Sequence, residues 1–340
     1  MEIRVRAPLR LGLAGGGTDL RWYSDSFGGA VVNTTICRYV NVRIKNRDDG
    51  RISFSSYDTG DAEEHAIGGN LDLLGMPLYS AATNKILEIS NRESMIPVHI
   101  ESISDSPVGS GLGTSSTLTV ALIKGLSEIY NVKLNRYKLA EISYEVEREI
   151  CGYTGGLQDH YAASFGGFNQ FIFHKNRKVS VRPIHIERDF LMSLETQILL
   201  YFSGVSRVSS TIIDDQIDAV KKSSEASLES MHGMKENAME MKSVLMRSDV
   251  GSFTEIIKGG WERKKNTSQM MSNPPIDELI ENLYEKGIKC AKVSGAGGGG
   301  FIYIVVPLEK RESVIAELSK RGGHFGGCRF TQYGAESWRC

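Results

Sequence analysis

No apolar run in this sequence approaches the roughly 18 residues that a bilayer span requires, so no membrane-embedded segment is expected. Paired cysteines are missing as well. The five present, at 37, 151, 290, 328 and 340, form no CxxC pair and have no histidines at zinc-site spacing. An odd, dispersed set reads as free thiols in a reducing compartment. A dominant charge sign is also absent, since 40 Lys and Arg face 41 Asp and Glu for a formal net charge of −1. That leaves no electrostatic footprint for nucleic acid, and no such partner is expected. The opening residues, Met1-Glu2-Ile3-Arg4-Val5-Arg6, alternate like a strand and lack the charged-then-apolar pattern of a secretory signal. A cytoplasmic location is the expectation.

What the sequence has in excess is glycine, 36 of 340 residues, much of it in clusters at 12–17, 109–113, 152–167 and 295–300. Such clusters let several stretches of backbone converge on a ligand without Cβ atoms in the way. An apolar fraction of 41% and a charged fraction of 24% are those of an ordinary globular chain, long enough here for two domains.

The pattern divides near 188. Before it, strand and helix alternate. Ile3–Arg6 and Leu9–Leu13 are extended, Tyr39–Lys45 alternates, and Ile52–Tyr57 reads as its hairpin partner across Asp48-Asp49-Gly50. Helical periodicity follows at 79–90, 115–130 and 136–150, then a strand at 168–174. After it come a strand at 197–202 and a long helical region over 209–247, then helices at 252–265 and 276–286. Strands at 289–294 and 301–306, a helix at 309–321 and a strand at 326–333 complete the chain. That order is the split β-α-β arrangement of ferredoxin-like units. The methionines at 231, 234 and 241 in the long helix read as a core stripe rather than a binding face.

Four segments carry candidate chemistry. Pro107-Val108-Gly109-Ser110-Gly111-Leu112-Gly113-Thr114-Ser115-Ser116-Thr117 places three glycines at alternate positions before a helix. A glycine loop ending at a helix N-terminus presents unpaired N–H groups to an anion, most often a nucleotide phosphate. A capped Gly/Ser turn is the other reading. In Ala7–Asp19, Arg10 sits among apolar and small residues, so it either pairs structurally or faces an anionic site. Asp19, at the exit of the Gly15–Gly17 turn, either accepts from sugar hydroxyls or caps a helix. On the helix before Cys151, the residues Leu139, Ile142, Ser143, Val146 and Ile150 form the buried stripe. Arg148 falls on the solvated side, and Glu147 borders the stripe, where it reaches either a metal or the rim. Asp159 follows a Gly-Gly turn and faces a cleft or caps a helix. Lys292–Phe301 holds five glycines in six positions between two strands, more than a hairpin needs. A dinucleotide-binding reading fails there, because a strand follows where a helix is required.

Taken in order, these segments resemble the three signatures of the GHMP kinase superfamily: Ala7–Asp19 the first, Pro107–Thr117 the second, Val293–Phe301 the third. Within it, Leu13–Leu20, Gly155–Asn169 and Phe202–Arg207 are similar to the D-glycero-D-manno-heptose 7-phosphate kinase group, with fucokinases as near relatives. Thr114 and Thr117 depart from the usual second signature. His160 replaces a commoner Gln, and one extra residue separates Glu147 from Asp159 compared with mevalonate kinases. The resemblance implies an α+β fold of two domains, one like ribosomal protein S5 domain 2 over 1–188 and one ferredoxin-like over 189–340. It implies ATP gripped by Pro107, Gly109, Ser110, Gly111, Leu112, Gly113, Thr114, Ser115 and Ser116. Mg²⁺ would be held by Ser115 and Glu147, with Asp159 and Arg10 catalytic. Gly16, Gly17, Thr18, Asp19, Arg21, Arg207, Gly297 and Gly298 would contact the sugar phosphate, Arg21, Arg38 and Arg207 being candidate cations for its phosphate. The implied reaction is phosphorylation of the anomeric hydroxyl of heptose 7-phosphate, feeding nucleotide-activated heptose synthesis. A kinase for an unphosphorylated sugar such as L-fucose and a non-catalytic nucleotide-binding regulator are the alternatives.

Overall fold

Alternating burial from Ile3 through Ala7 makes the opening residues a strand, β1 (Glu2–Ala14), and beyond Ala7 both of its faces are covered. The computed structural model describes residues 2–204, 213–214, 225–268 and 271–340. After a short helix α1 (Arg21–Phe27) comes β2 (Gly29–Asn46), then β3 (Arg51–Ser56) and β4 (Ala62–Ala66). Helix α2 (Pro77–Ser90) starts with Pro77 in its first turn, where a missing N–H is harmless, and β5 (Val98–Ser104) follows. Helix α3 (Thr114–Ile129) is next, then α4 (Arg136–Tyr144), whose Asn135 cap accepts from the Lys138 N–H at 2.9 Å. A π-helical turn (Glu145–Ile150) continues α4, and α5 (Gln158–Phe165), β6 (Phe168–Phe173) and β7 (Val179–Pro183) complete the first half.

The first sheet has eight strands, ordered β12-β1-β2-β5-β3-β4, where β12 is Glu336–Arg339, with β6 joining β2 and β7 joining β6. The hairpin expected between Tyr39–Lys45 and Ile52–Tyr57 does not form. Strand β5 lies between them, antiparallel to β2 and parallel to β3, and β3 makes its hairpin with β4 instead. Val98 and Ile100, both fully buried, supply the apolar face that earns β5 its central place. The helices α2 and α3 cover one face of this sheet. Gly125 lets α3 come close, since a Cβ there would lie 2.7 Å from Ile44 Cδ1 and 2.9 Å from Val5 Cγ2.

The second half runs α6 (Arg188–Gln197), β8 (Ile198–Phe202), α7 (Glu225–Met246), α8 (Val250–Lys265), α9 (Pro274–Glu285), β9 (Cys290–Val293), β10 (Phe301–Val305), α10 (Arg311–Lys320) and β11 (His324–Gly327). Its antiparallel sheet is ordered β11-β8-β10-β9, the ferredoxin-like order anticipated from the sequence pattern. The long helix expected over 209–247 is described only from Glu225, and most of 209–224 lies outside the described residues. Within α7, Met231, Met234, Ala238 and Met241 are buried, as a core stripe requires. The last strand, β12 (Glu336–Arg339), pairs with β1 in the first sheet, and Phe330 bridges to Ile36. The chain end therefore crosses back over the division near 188. The two halves also share one apolar core, in which Leu9, Leu11 and Ala30 pack with Ala238, Met241 and Tyr303.

Candidate active site

A register shift in β1 begins the site. Pro8 has no N–H to give the ladder, and the pairing of β1 with β2 breaks between Pro8 and Arg10. The Arg10 N–H leaves the sheet and donates to the Leu112 carbonyl at 3.1 Å. Its side chain, 6% exposed, reaches Asp159 in the first turn of α5 through two bonds, Nε to Oδ1 at 2.6 Å and Nη2 to Oδ2 at 2.8 Å. Nη1 donates to the Gly111 carbonyl at 2.6 Å. One guanidinium thus ties the glycine loop to the carboxylate.

That loop enters α3 through Gly113, at φ 83°, with no side-chain cap. Thr117 is the first residue whose N–H returns to the helix, bonding Gly113 O at 2.9 Å, so the preceding turn offers donors to an anion. The positive φ favours glycine at 113, and a Cβ there would also press on Asp159, 3.0 Å from Oδ2. Loop and third signature also touch backbone to backbone: a Cβ on Gly111 would meet Ser294 O at 2.4 Å, and one on Gly295 would meet Gly111 O at 2.6 Å. Leu112 is fully buried and anchors the loop without bordering the cavity.

Glu147 is fully buried. Its Oε1 accepts from Ser115 Oγ and its Oε2 from Ser116 Oγ, each at 2.6 Å, and His160 Nε2 lies 2.6 Å from Oε2. Burial pushes its carboxyl up, but Arg148, His160 and Ser115 outweigh that and hold it at about 2. The π turn brings it there. Cys151 N–H bonds Val146 O five residues back, and the wider turn advances the register. Ile150, expected in the buried stripe, is consequently 39% exposed, whereas Arg148, expected on the solvated side, points inward. Arg148 donates to the carbonyls of Tyr153 and Thr154 and to Ser116 Oγ. Gly155 makes room for it, since a Cβ would sit 2.3 Å from its Cζ.

Asp19 is buried too. It does not cap α1; its Oδ2 accepts from the Gln158 N–H at 3.0 Å, at the start of α5, the helix that carries Asp159. Burial raises its pKa, the Gln158 N–H opposes this, and neighbouring Asp159 adds to it.

These groups line one cavity of about 470 Å³. Of the residues expected at a ligand, Arg10, Gly16, Gly17, Asp19, Gly109, Ser110, Gly111, Gly113, Thr114, Ser115, Ser116, Glu147 and Asp159 border it. Others do not. Thr18 Oγ1 is fully buried, donating within 2.8 Å of Gly15 O and Ala30 O, and so latches the turn. Arg21 lies over the Tyr144 ring near Asp25, and Arg38 donates to Asp105 O over the Phe301 ring. Pro107 borders a separate shallow hollow. Gly297 and Gly298 pack on Met271, whose carbonyl accepts the Gly298 N–H at 2.7 Å; their neighbours Gly295 and Ala296 reach the cavity instead. Arg207 lies outside the described residues. Sequence reasoning missed Arg148, Gln158 and Lys264, all of which border the cavity.

The residues present fit a triphosphate and a hard divalent cation. The uncapped α3 N-terminus suits the phosphates. Glu147 and Ser115 give two adjacent oxygen donors, the partial set that Mg²⁺ uses when phosphate and water complete its shell. No helix of the described residues is long and apolar enough to cross a membrane.

The family described as GHMP kinases N terminal domain matches residues 78–167, and GHMP kinases C terminal matches residues 241–324. A D-glycero-alpha-D-manno-heptose 7-phosphate kinase of Campylobacter jejuni is 38% identical over 341 residues, covering 99% of both proteins. The crystal structure of a D-glycero-D-manno-heptose 1-phosphate kinase from Bacteroides thetaiotaomicron is 34% identical, with a TM-score of 0.84 over 99% of each chain. An L-fucokinase/L-fucose-1-P guanylyltransferase of Bacteroides fragilis is 26% identical over 88% of this chain, which spans 34% of that longer protein. Signatures, sheet order and whole-length similarity agree: the chain belongs to the GHMP kinase family and is an ATP-dependent sugar kinase.

Proposed function

We propose that the protein transfers the γ-phosphoryl group of ATP to the anomeric C1 hydroxyl of a heptose 7-phosphate, giving the 1,7-bisphosphate for nucleotide-activated heptose synthesis. The carrying observation is the bidentate Arg10–Asp159 pair, which faces the same cavity as the open N-terminus of α3. Similarity to the Campylobacter jejuni enzyme supports the choice of sugar.

In the reaction, the sugar O1 forms a bond to the γ-phosphorus while the bond to the β-phosphate oxygen breaks. The electron pair leaves on ADP, and the O1 proton passes to Asp159 and then to solvent. The chain's work is placement and charge. The loop N–H groups of 109–116 hold the phosphates, and Ser115 with Glu147 would hold Mg²⁺, which supplies charge neutralisation when bound. Asp159 orients the hydroxyl and accepts its proton, and Arg10 holds Asp159 in register while offering positive charge at the loop. Gly16, Gly17 and Asp19 line the sugar end, with Gln158 fixed beside them through Asp19. An anomeric hydroxyl is more acidic than an ordinary alcohol, so an acceptor already paired with a guanidinium suffices.

The names of the two heptose relatives differ on whether the phosphate stands at position 7 or position 1. A kinase screen over heptose 7-phosphate, free heptose, L-fucose and galactose, with phosphorus NMR of the product, tests the reading. The expected product carries a new anomeric phosphate, made fastest from heptose 7-phosphate. Preference for L-fucose, or a new phosphate at any other carbon, overturns it.

A further inference from the structure

Among the described residues three cations border the cavity, and two of them are already committed. Arg10 binds both oxygens of Asp159 and the Gly111 carbonyl. Arg148 binds the Tyr153 and Thr154 carbonyls and Ser116 Oγ. Lys264, in the last turn of α8, donates to the carbonyl of Gly295 and to nothing else among the described residues. It is 6% exposed and makes no ion pair with any carboxylate among those residues. A buried ammonium without a counter-ion is unfavourable, and proteins keep one where a ligand brings the missing charge.

Its position says which charge. Gly295 packs directly on Gly111, so Lys264 and Arg10 grip the same seam from its two sides, one at the Gly295 carbonyl and one at the Gly111 carbonyl. The other charged groups around Lys264 are Lys292, Asp19 and Asp159. Of these, Asp159 is the group that the proposed reaction sets at the acceptor's C1 hydroxyl, and it borders the same cavity as Lys264.

Resting on the kinase reading above, we infer that Lys264 is a further catalytic residue, whose ammonium binds the equatorial oxygens of the phosphoryl group during its transfer from ATP to the sugar hydroxyl. Burial, then Lys292 and Arg10, lower its pKa to about 7, with Asp19 and Asp159 opposing. An arriving phosphoryl anion restores the full charge where negative charge spreads in the transition state.

The test uses the full chain with Lys264→Met, Lys264→Gln and Lys264→Arg. Lys264→Gln removes the charge while retaining a shorter N–H donor on the Gly295 side. Expected for Met and Gln is a kcat lower by about 100-fold or more, with KM for the sugar phosphate within about threefold. Both should also lose the preference for a non-hydrolysable ATP analogue over ADP, read by calorimetry without turnover. Lys264→Met should melt no lower than wild type, because it removes an unpaired buried charge, and Lys264→Arg should recover at least about a tenth of the rate. An unchanged kcat in Lys264→Gln overturns the inference and makes Lys264 a strut for Gly295. A raised sugar-phosphate KM at constant kcat also overturns it, and assigns Lys264 to the acceptor's own phosphate. Failure of the function itself looks different: the wild type then phosphorylates no heptose, while the triphosphate preference still reports on Lys264.

Discussion

Arg10 occupies one lone pair on each oxygen of Asp159, which leaves a second on each for a sugar hydroxyl. Asp159→Asn keeps the size, removes the charge and turns one acceptor into a donor that opposes Arg10. Its kcat should fall by about 10²–10⁴-fold while calorimetric ATP affinity stays within a few-fold; unchanged turnover would remove Asp159 from the chemistry. Thr18 poses the opposite case. The family signature makes it a sugar contact, yet its hydroxyl is enclosed by Gly15 O, Ala30 O and the Ala30 N–H. Thr18→Val should therefore lower stability by about 1–3 kcal/mol in chemical denaturation, since it leaves buried polar groups unpaired. A raised sugar KM without loss of stability would restore Thr18 to the ligand.

At the scale of elements, the π turn at Glu145–Ile150 decides most about the site. A regular helix through those residues would carry Arg148 to solvent and Ile150 into the core, which is how the 3.6-residue periodicity reads. The extra residue in the turn rotates both. Glu147 then meets Ser115 despite the additional residue before Asp159. Helix α3 shows the complementary constraint, because its approach to the sheet depends on Gly125. Gly125→Ala forces Ile44 and Val5 to give way and should destabilise the protein by about 1–3 kcal/mol, against the gain expected from helix propensity alone. A denaturation midpoint higher than wild type would show that the sheet yields freely.

Across the whole molecule, the cavity exists because the second half packs α8 and the Gly295 turn onto the glycine loop of the first. Its buried ammonium should be visible in stability. Lys264 titrates near about 7 in the folded chain against an ordinary 10.5, so the unfolded chain binds more protons between those values. Stability then rises with pH through that window. The melting temperature of wild type should climb relative to Lys264→Met between about pH 7 and 9. A constant difference would place the Lys264 proton on the folded chain throughout.

Part of the site was legible in the residues: the glycine loop at 109–116 stands out by type and spacing, whereas Arg10, Glu147 and Asp159 each kept two readings until the resemblance to the three signatures singled them out. Lys264 did not stand out, because Arg263-Lys264-Lys265 reads locally as cations complementing the end of a helix dipole. Nothing in the sequence separates the inward lysine from its neighbours; the packing of α8 does. The same holds for β3, whose turn at Asp48-Asp49-Gly50 suggests a hairpin that a strand from fifty residues later displaces. Local chemistry is written residue by residue, so the sequence by itself determined the glycine loop ahead of a helix and the succession of strands and helices in the second half. Which strand lies beside which, which face of a helix turns inward, and which charge is left without a counter-ion depend on contacts between distant segments. Those only the tertiary structure decided.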